Sequence, residues 1–400
     1  LQSVLKHLFT LRRQIGIRAS IHVKMAFYTG SGVMMETQLY IGIMSGTSMD
    51  GADAVLIRMD GGKWLGAEGH AFIPYPDDLR AALLALQNIG TDELHRSRML
   101  SQELSLLYAQ TVAELLCSQN LAPCDITALG CHGQTVRHAP EHGYSVQLAD
   151  LPLLAELTRI FTVGDFRSRD LAAGGQGAPL VPAFHEALFR DDKETRAVLN
   201  IGGIANISVL PPDAPAFGFD TGPGNMLMDA WTQAHWQLPY DKNGAKAAQG
   251  NILPHLLDRL LAHPYFAQPH PKSTGRELFA LNWLETYLDG GENRYDVLRT
   301  LSRFTAQTVC DAVSHAAADA RQMYICGGGI RNPVLMADLA ECFGTRVSLH
   351  STAELNLDPQ WVEAAAFAWL AACWINRIPG SPHKATGAAK PCILGAGYYY

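Results

Sequence analysis

Leu39-Tyr-Ile-Gly-Ile-Met44, Ser45-Gly-Thr-Ser-Met-Asp-Gly51 and Ala52-Asp-Ala-Val-Leu-Ile-Arg-Met59 follow one another without a break near the front of the chain. Two apolar runs of strand length flank a turn of Gly, Ser, Thr and Asp, so the stretch reads as a hairpin whose loop offers amides and hydroxyls. Asp60-Gly61-Gly62 then turns the chain into a third strand near 63–73. A helix is expected near 93–119, where Leu100, Leu104, Leu107 and Leu115 recur at helical spacing, and a short apolar strand follows at 126–131.

The same order returns in the second half. Residues 197–210 read as strand, glycine turn, strand, with helices near 224–236, 252–262 and 296–320. A strand at 323–326, a tight loop at Gly327-Gly-Gly, a helix at 332–343 and a strand at 346–350 complete it. Two halves that each open on a glycine-turn hairpin predict an α/β protein of two duplicated α/β domains. The Ala-rich helix 362–376 leads back towards the first domain, because the Gly-rich tail 384–397 ends strand-like. The expected division is a first domain of 39–160 plus about 377–400 and a second of 161–376. Residues 1–38, rich in Lys and Arg and lacking a continuous apolar stretch, read as an upstream extension with a natural start at Met34 or Met35.

With 400 residues, 48 % hydrophobic and 17 % charged, the chain has ample material for large cores. A net charge of −7 argues against a nucleic-acid binder. No apolar run reaches the roughly 20 residues that span a bilayer, so no membrane partner is expected. Eight cysteines without a CxxC pair read as reduced core thiols, which points to the cytoplasm. His132, His138 and His142 fit no common zinc spacing.

Four segments concentrate the residues that cradle phosphate: Met44 to Gly51, Asn200-Ile-Gly-Gly-Ile-Ala-Asn206, Gly218-Phe-Asp-Thr-Gly-Pro-Gly-Asn225 and Cys326-Gly-Gly-Gly-Ile-Arg-Asn332. Neither GxxxxGK[ST] nor a complete GxGxxG is present, so a nucleotide would be held in another way. Asp220, between Phe219 and Thr221-Gly222, is the leading base candidate. Asp165 and Asp170 bracket Arg167 and Arg169, one of which could meet an anionic or hydroxylated substrate, or the group could be a structural ion-pair network. Gly133-Gln134-Thr135 reads as a polar, substrate-facing turn after a strand.

These segments resemble the anhydro-N-acetylmuramic acid kinases of bacterial cell-wall recycling. The resemblance rests on 41–51, Gly130-Cys-His-Gly-Gln-Thr-Val-Arg-His138, 164–182, 200–203, 218–225, Pro271-Lys-Ser-Thr-Gly-Arg-Glu277 and 326–329, and runs from about residue 39 to the end. It implies the actin/hexokinase-like ATPase fold, two duplicated domains around a central cleft, with ATP and Mg2+ as cofactors and a homodimer as the assembly. It also implies the reaction, in which water opens a 1,6-anhydro amino sugar while oxygen 6 takes the γ-phosphate of ATP. By motif, Gly46, Thr47, Ser48, Met49, Asp50, Gly51, Ala52 and Asp53 would form the first phosphate loop and Gly202 and Gly203 part of the second. Gly327, Gly328 and Gly329 would lie against adenosine. Asp220 would activate the water, and Gln134, Arg169 and Glu363 would face the sugar. The rivals are another kinase of this fold, a glycoside hydrolase using Asp165 or Asp170 as acid, and an actin-type nucleotide switch.

Overall fold

The computed structural model describes residues 37–46, 49–270, 272–275 and 278–400. The expected N-terminal extension therefore lies almost wholly outside the described residues, as do Thr47 and Ser48.

The opening hairpin forms as its sequence dictates: β1 (Gln38–Ser45) pairs antiparallel with β2 (Gly51–Asp60), which pairs with β3 (Lys63–Pro74). Strand β4 (Ile126–Ala139) joins β1 in parallel, with β5 (Tyr144–Leu148) along its far end and β6 (Thr162–Gly164) parallel on its other side. A second sheet holds β7 (Arg196–Ile201), β8 (Ile204–Leu210), β9 (Phe217–Pro223), β10 (Gln322–Cys326) and β11 (Ser348–Ser351). The tail strand β12 (Ala396–Tyr398) returns to the first sheet against β6.

The orders β3-β2-β1-β4-β6 and β9-β8-β7-β10-β11 repeat one another, each with two antiparallel pairings followed by two parallel ones. The repeat read from the glycine turns is thus a repeat of topology. The helix Glu93–Gln119 buries Leu100, Leu104, Tyr108, Val112 and Leu115 on one face of the first sheet. On the second sheet, Arg294–Ala316 does the same with Val297, Leu301, Phe304 and Val309.

Helix Val362–Ile375 is apolar on every side, and 11 of its 14 residues are buried. Such a helix belongs in an interior. It packs in one cluster with Tyr40, Val55 and Ala128 of the first sheet and Val198, Tyr324 and Cys326 of the second. Glycine makes the close fit possible: a Cβ on Gly42 would lie 1.9 Å from the Ala364 carbonyl oxygen, and one on Gly130 2.0 Å from that of Phe367.

One buried histidine makes this core acid-sensitive. His185, on helix Val181–Phe189, meets Ser208 Oγ at 2.9 Å through Nδ1, and burial pushes its pKa down to about 3. The unfolded chain binds a proton there below pH about 6.5 that the folded chain refuses until about pH 3. Stability should therefore fall with falling pH across that window, by roughly 1.4 kcal/mol per pH unit for this group. Urea midpoints at pH 7 and pH 5 test this. His185→Phe is expected to be less stable at pH 7, because Ser208 loses its partner, yet to lose less on acidification than the wild type.

Candidate active site

Asn is depleted in strands, so Asn200 and Asn206 in the middle of a hairpin ask for a reason. Asn200 on β7 stands opposite Asn206 on β8, and Asn206 stands opposite Asp220 on β9. The three residues form one polar row across the mouth of the second sheet. Side chains paired this way sit about 5 Å apart, so the row spans roughly 10 Å. Helix Val362–Ile375 extends it: Asn200 Nδ2 donates to Glu363 Oε1 at 3.3 Å. Burial raises the Glu363 carboxyl pKa and the nearby Asp53 carboxylate adds to it, while the Arg167 charge and the Asn200 bond oppose the shift.

Asp220 is aimed by an irregularity. The register of β9 slips between the Ala205 and Asn206 pairings, so Thr221 is the extra residue of a bulge, with its Oγ1 donating to the Ala205 carbonyl oxygen at 3.1 Å. Bulges beside active sites redirect a side chain. Gly222, at φ +147°, leaves room for the Phe266 ring, 2.8 Å from where its Cβ would stand.

The two hairpin turns face their ligand side differently. Cβ atoms on Gly202 and Gly203 would have nothing nearer than 3.6 Å and 3.8 Å, so the outer surface of that turn is uncovered. From behind, Asn225 N donates to Gly202 O and Gly224 N to Gly203 O, both at 2.8 Å. Gly328 is equally open, whereas Gly327 at φ +82° and Gly329 press against β7. In the first loop Met49 and Ala52 are fully buried and anchor it to the first core. Asp50 is exposed near Arg80, and Asp53 Oδ1 lies 2.8 Å from His70 Nε2. The His70 ring stacks on Trp361, centroids 5.4 Å apart, just before the Glu363 helix.

Gln134 differs from its sequence reading. Residues 133–135 are no turn: β4 runs on through them and pairs with β5, the positive φ of Gly133 absorbing the irregularity. Gln134 is fully buried, its Oε1 taking the Ser45 hydroxyl and its Nε2 donating to the Gly46 carbonyl oxygen at 3.2 Å. Ser45 in turn meets Tyr75, which meets Tyr108 at 3.2 Å. Pattern reading stopped the strand at 131 because glycine and polar residues follow, and a two-sided pairing partner overrode that propensity.

Of the two arginines, Arg169 is exposed, whereas Arg167 is tied in. Arg167 donates to the Gly177 carbonyl oxygen at 2.7 Å and to His132 Nε2 at 2.9 and 3.1 Å. His132 Nδ1 lies 2.7 Å from Gly133 O, and a carbonyl can only accept, so the ring is the neutral Nδ1–H tautomer. Burial first, then the Arg167 charge, hold its pKa well below the usual value. Asp170 is fully committed: Oδ1 accepts from Ser381 Oγ at 3.0 Å and Thr386 Oγ1 at 2.8 Å, and Oδ2 from Gly177 N at 2.8 Å. Asp170→Ala would strand three buried donors, and a loss of about 3 kcal/mol or more is expected in thermal or urea unfolding.

The family model for anhydro-N-acetylmuramic acid kinase matches residues 38–400, which contain every strand of the two sheets. The chain belongs to the anhydro-N-acetylmuramic acid kinase family. Relatives carrying that description include one from Neisseria gonorrhoeae, 94 % identical over 376 residues, which covers 94 % of this chain and all of that one. One from Neisseria meningitidis serogroup B is 95 % identical over 92 % of this chain and all of its own length. A more distant member, from Bordetella parapertussis, is 51 % identical over 90 % of this chain and 96 % of its own. Among solved structures, the ADPNP-bound activator of 2-hydroxyisocaproyl-CoA dehydratase from Clostridium difficile aligns with a TM-score of 0.43 at 13 % identity, over 83 % of this chain and 93 % of that one. No helix among the described residues is long and apolar enough to cross a membrane.

Within the family frame, sequence reasoning had singled out Asp220 and Glu363 but passed over what lies between and beside them. Asn200 and Asn206 were visible as polar residues at mirrored places in an apolar hairpin. His70 gave no signal, because no local pattern marks it as the neighbour of Asp53 and Trp361.

Proposed function

We propose that this chain is an ATP-dependent hydrolytic kinase that opens the 1,6-anhydro ring of anhydro-N-acetylmuramic acid and phosphorylates oxygen 6, giving N-acetylmuramic acid 6-phosphate. The polar row from Glu363 through Asn200 and Asn206 to Asp220 carries the reading, because it has one carboxylate at each end and runs beside the uncovered Gly202-Gly203 turn. Asp220 takes a proton from water as that water's oxygen bonds to C1. The C1–O6 bond breaks, oxygen 6 bonds to the γ-phosphorus, and ADP leaves. Glu363 and Arg169 bind the sugar. Gln134 supports the first loop through Gly46 in the state described here.

Gly46 to Asp53 and Gly202-Gly203 bracket the phosphates, and Gly327 to Gly329 lie against adenosine. Mg2+ would accompany the nucleotide and offset the charge on its phosphates, and Asp53 would be the carboxylate of the first loop available to hold it. Magnesium in such sites keeps its waters and takes only one or two protein carboxylates beside the phosphates, which fits a site with so few acidic side chains. The two repeated sheets are the cores of two lobes, 39–160 with about 377–400 and 161–376, except that β6 (Thr162–Gly164) goes with the first. The protein works as a homodimer in the cytoplasm. Mixing protein, ATP, Mg2+ and the anhydro sugar and analysing products by mass and 31P NMR tests the assignment. A 6-phosphate whose anomeric oxygen comes from labelled water is expected, whereas phosphate transfer to an ordinary sugar alone would favour a different kinase of this fold.

A further inference from the structure

Strand β9 is the edge of its sheet, yet its outer side is not bare. Residues 263–270 and 272–275 lie along it. Asp220 N donates to the Lys272 carbonyl oxygen at 3.1 Å, and the Tyr265 hydroxyl donates to the Asp220 carbonyl oxygen at 2.7 Å. Thr274 N donates to Asp220 Oδ2 at 3.0 Å. The His270 ring stacks on Phe217 and Phe219, centroids 4.9 and 5.2 Å away, on the residues leading into Asp220. Lys272 closes the loop on itself: its Nζ donates to the carbonyl oxygens of Tyr265 and Phe266 at 3.1 and 3.2 Å and sits over the Tyr265 ring. An ammonium so placed is half-buried, and burial lowers its pKa.

From this geometry we infer that residues 265–270 and 272–274 act as a strap that positions the Asp220 carboxylate, with Lys272 as its clip and Tyr265 as its anchor. The inference rests on the reading of Asp220 as the base, which it deepens. All three backbone-reaching bonds converge on the one residue of β9 that must keep a fixed aim. A carboxylate that accepts an N–H bond is favoured in its ionised form, so the Thr274 amide both orients Asp220 and keeps it unprotonated and ready to accept a proton. Besides Asp220, the titratable groups that the described residues bring to this place include Tyr265, His270 and Lys272 from the strap and His263, whose Nδ1 accepts from Tyr265 N at 3.3 Å; β8 contributes the neutral Asn206. Tyr265 and Lys272 are positioning residues, since neither is required to touch a reacting atom.

Three variants of the full chain test this: Lys272→Met, Tyr265→Phe and, as the reference, Asp220→Asn. Lys272→Met and Tyr265→Phe are expected to lower kcat by about 10- to 100-fold, as a slight misplacement of a reacting group does. KM for both substrates should hold. In both variants the acid limb of the kcat–pH profile should move to higher pH, because Asp220 loses part of its amide bond. Tyr265→Phe removes no charge, so a shift in Lys272→Met alone would mean a simple loss of positive potential and overturn the strap. Wild-type kcat and pH profile in both variants, with Asp220→Asn inactive, would overturn it too while leaving the base assignment intact. Full turnover by Asp220→Asn would instead remove the base assignment, and the positioning role with it. Should Lys272→Met fold poorly, Tyr265→Phe alone decides by the same two readouts.

Discussion

Asp220→Asn is expected to lower kcat by about 10²- to 10⁴-fold, the range a positioned general base supplies, while sugar and nucleotide still bind. The amide has the size of the carboxylate and retains an oxygen that can accept from Thr274 N, so the bulge and the strap have no reason to move. What it lacks is the capacity to take a proton from water. The expected loss is large because the described carboxylates that could substitute are engaged: Glu363, at the other end of the row, is held by Asn200, Asp53 pairs with His70, and Asp170 is occupied by three donors. A glycosidase needs two carboxyl groups, one to activate water or attack and one to protonate the leaving oxygen. Here phosphorus captures that oxygen, so one carboxylate suffices. Rapid-quench measurement of the chemical step, with calorimetric titration of each substrate, separates the two quantities. The same mechanism requires inversion at C1, visible by NMR as the first-formed anomer before mutarotation. Retention, or near-normal turnover of the variant, would remove Asp220 from the role.

The second large effect is on folding. Gly42→Ala is expected to prevent accumulation of soluble folded protein. The added Cβ would stand 1.9 Å from Ala364 O and 2.5 Å from Ala368 N, both backbone atoms of helix Val362–Ile375. No rotamer relieves a Cβ contact, so the whole helix would have to lift from β1. Overpacking ordinarily costs about 1–3 kcal/mol with side chains free to adjust, and here they are not. Against a net stability of about 5–15 kcal/mol, that is a substantial share. Whatever protein survives should also bind the sugar poorly, because Glu363 sits on the first turn of the displaced helix. Gly291→Ala is the control, since a Cβ there meets nothing within 4 Å. Solubility on expression and thermal melts of both variants check the contrast, and a well-folded Gly42→Ala protein would contradict the packing described.

Much of this architecture could be read before any coordinates. The opening hairpin, its counterpart at 197–210 and the long helices announced themselves because burial imposes a period on the sequence, and periods are local. Asp220 drew attention for a related reason, as an acid in an apolar run that leads into glycines, and its role as base is what the Asp220→Asn variant tests. The extension of β4 was not legible, since Gly133 and Gln134 break the apolar pattern and only the pairing with β5 keeps them extended. Gln134 was placed against the sugar because polar residues after a strand often face solvent, yet Ser45 and Gly46 engage its amide from 88 or more residues away in sequence. The Lys272 clip was equally hidden. Its partners are two carbonyl oxygens, and a carbonyl leaves no signature in the sequence.

The helix that seats on Gly42 arrives late. Residue 362 leaves the ribosome 320 residues after residue 42, which at roughly 5–20 residues per second takes about 16–64 s. Through that interval β1, joined later by β4, has one face waiting for a partner not yet synthesised, and β6 in its turn waits some 232 residues for β12. The front half of this enzyme is therefore obliged to be a patient intermediate, exposed to aggregation in proportion to the time it waits. A slowed translation rate, harmless to a chain built of local contacts, would be felt here as lost yield.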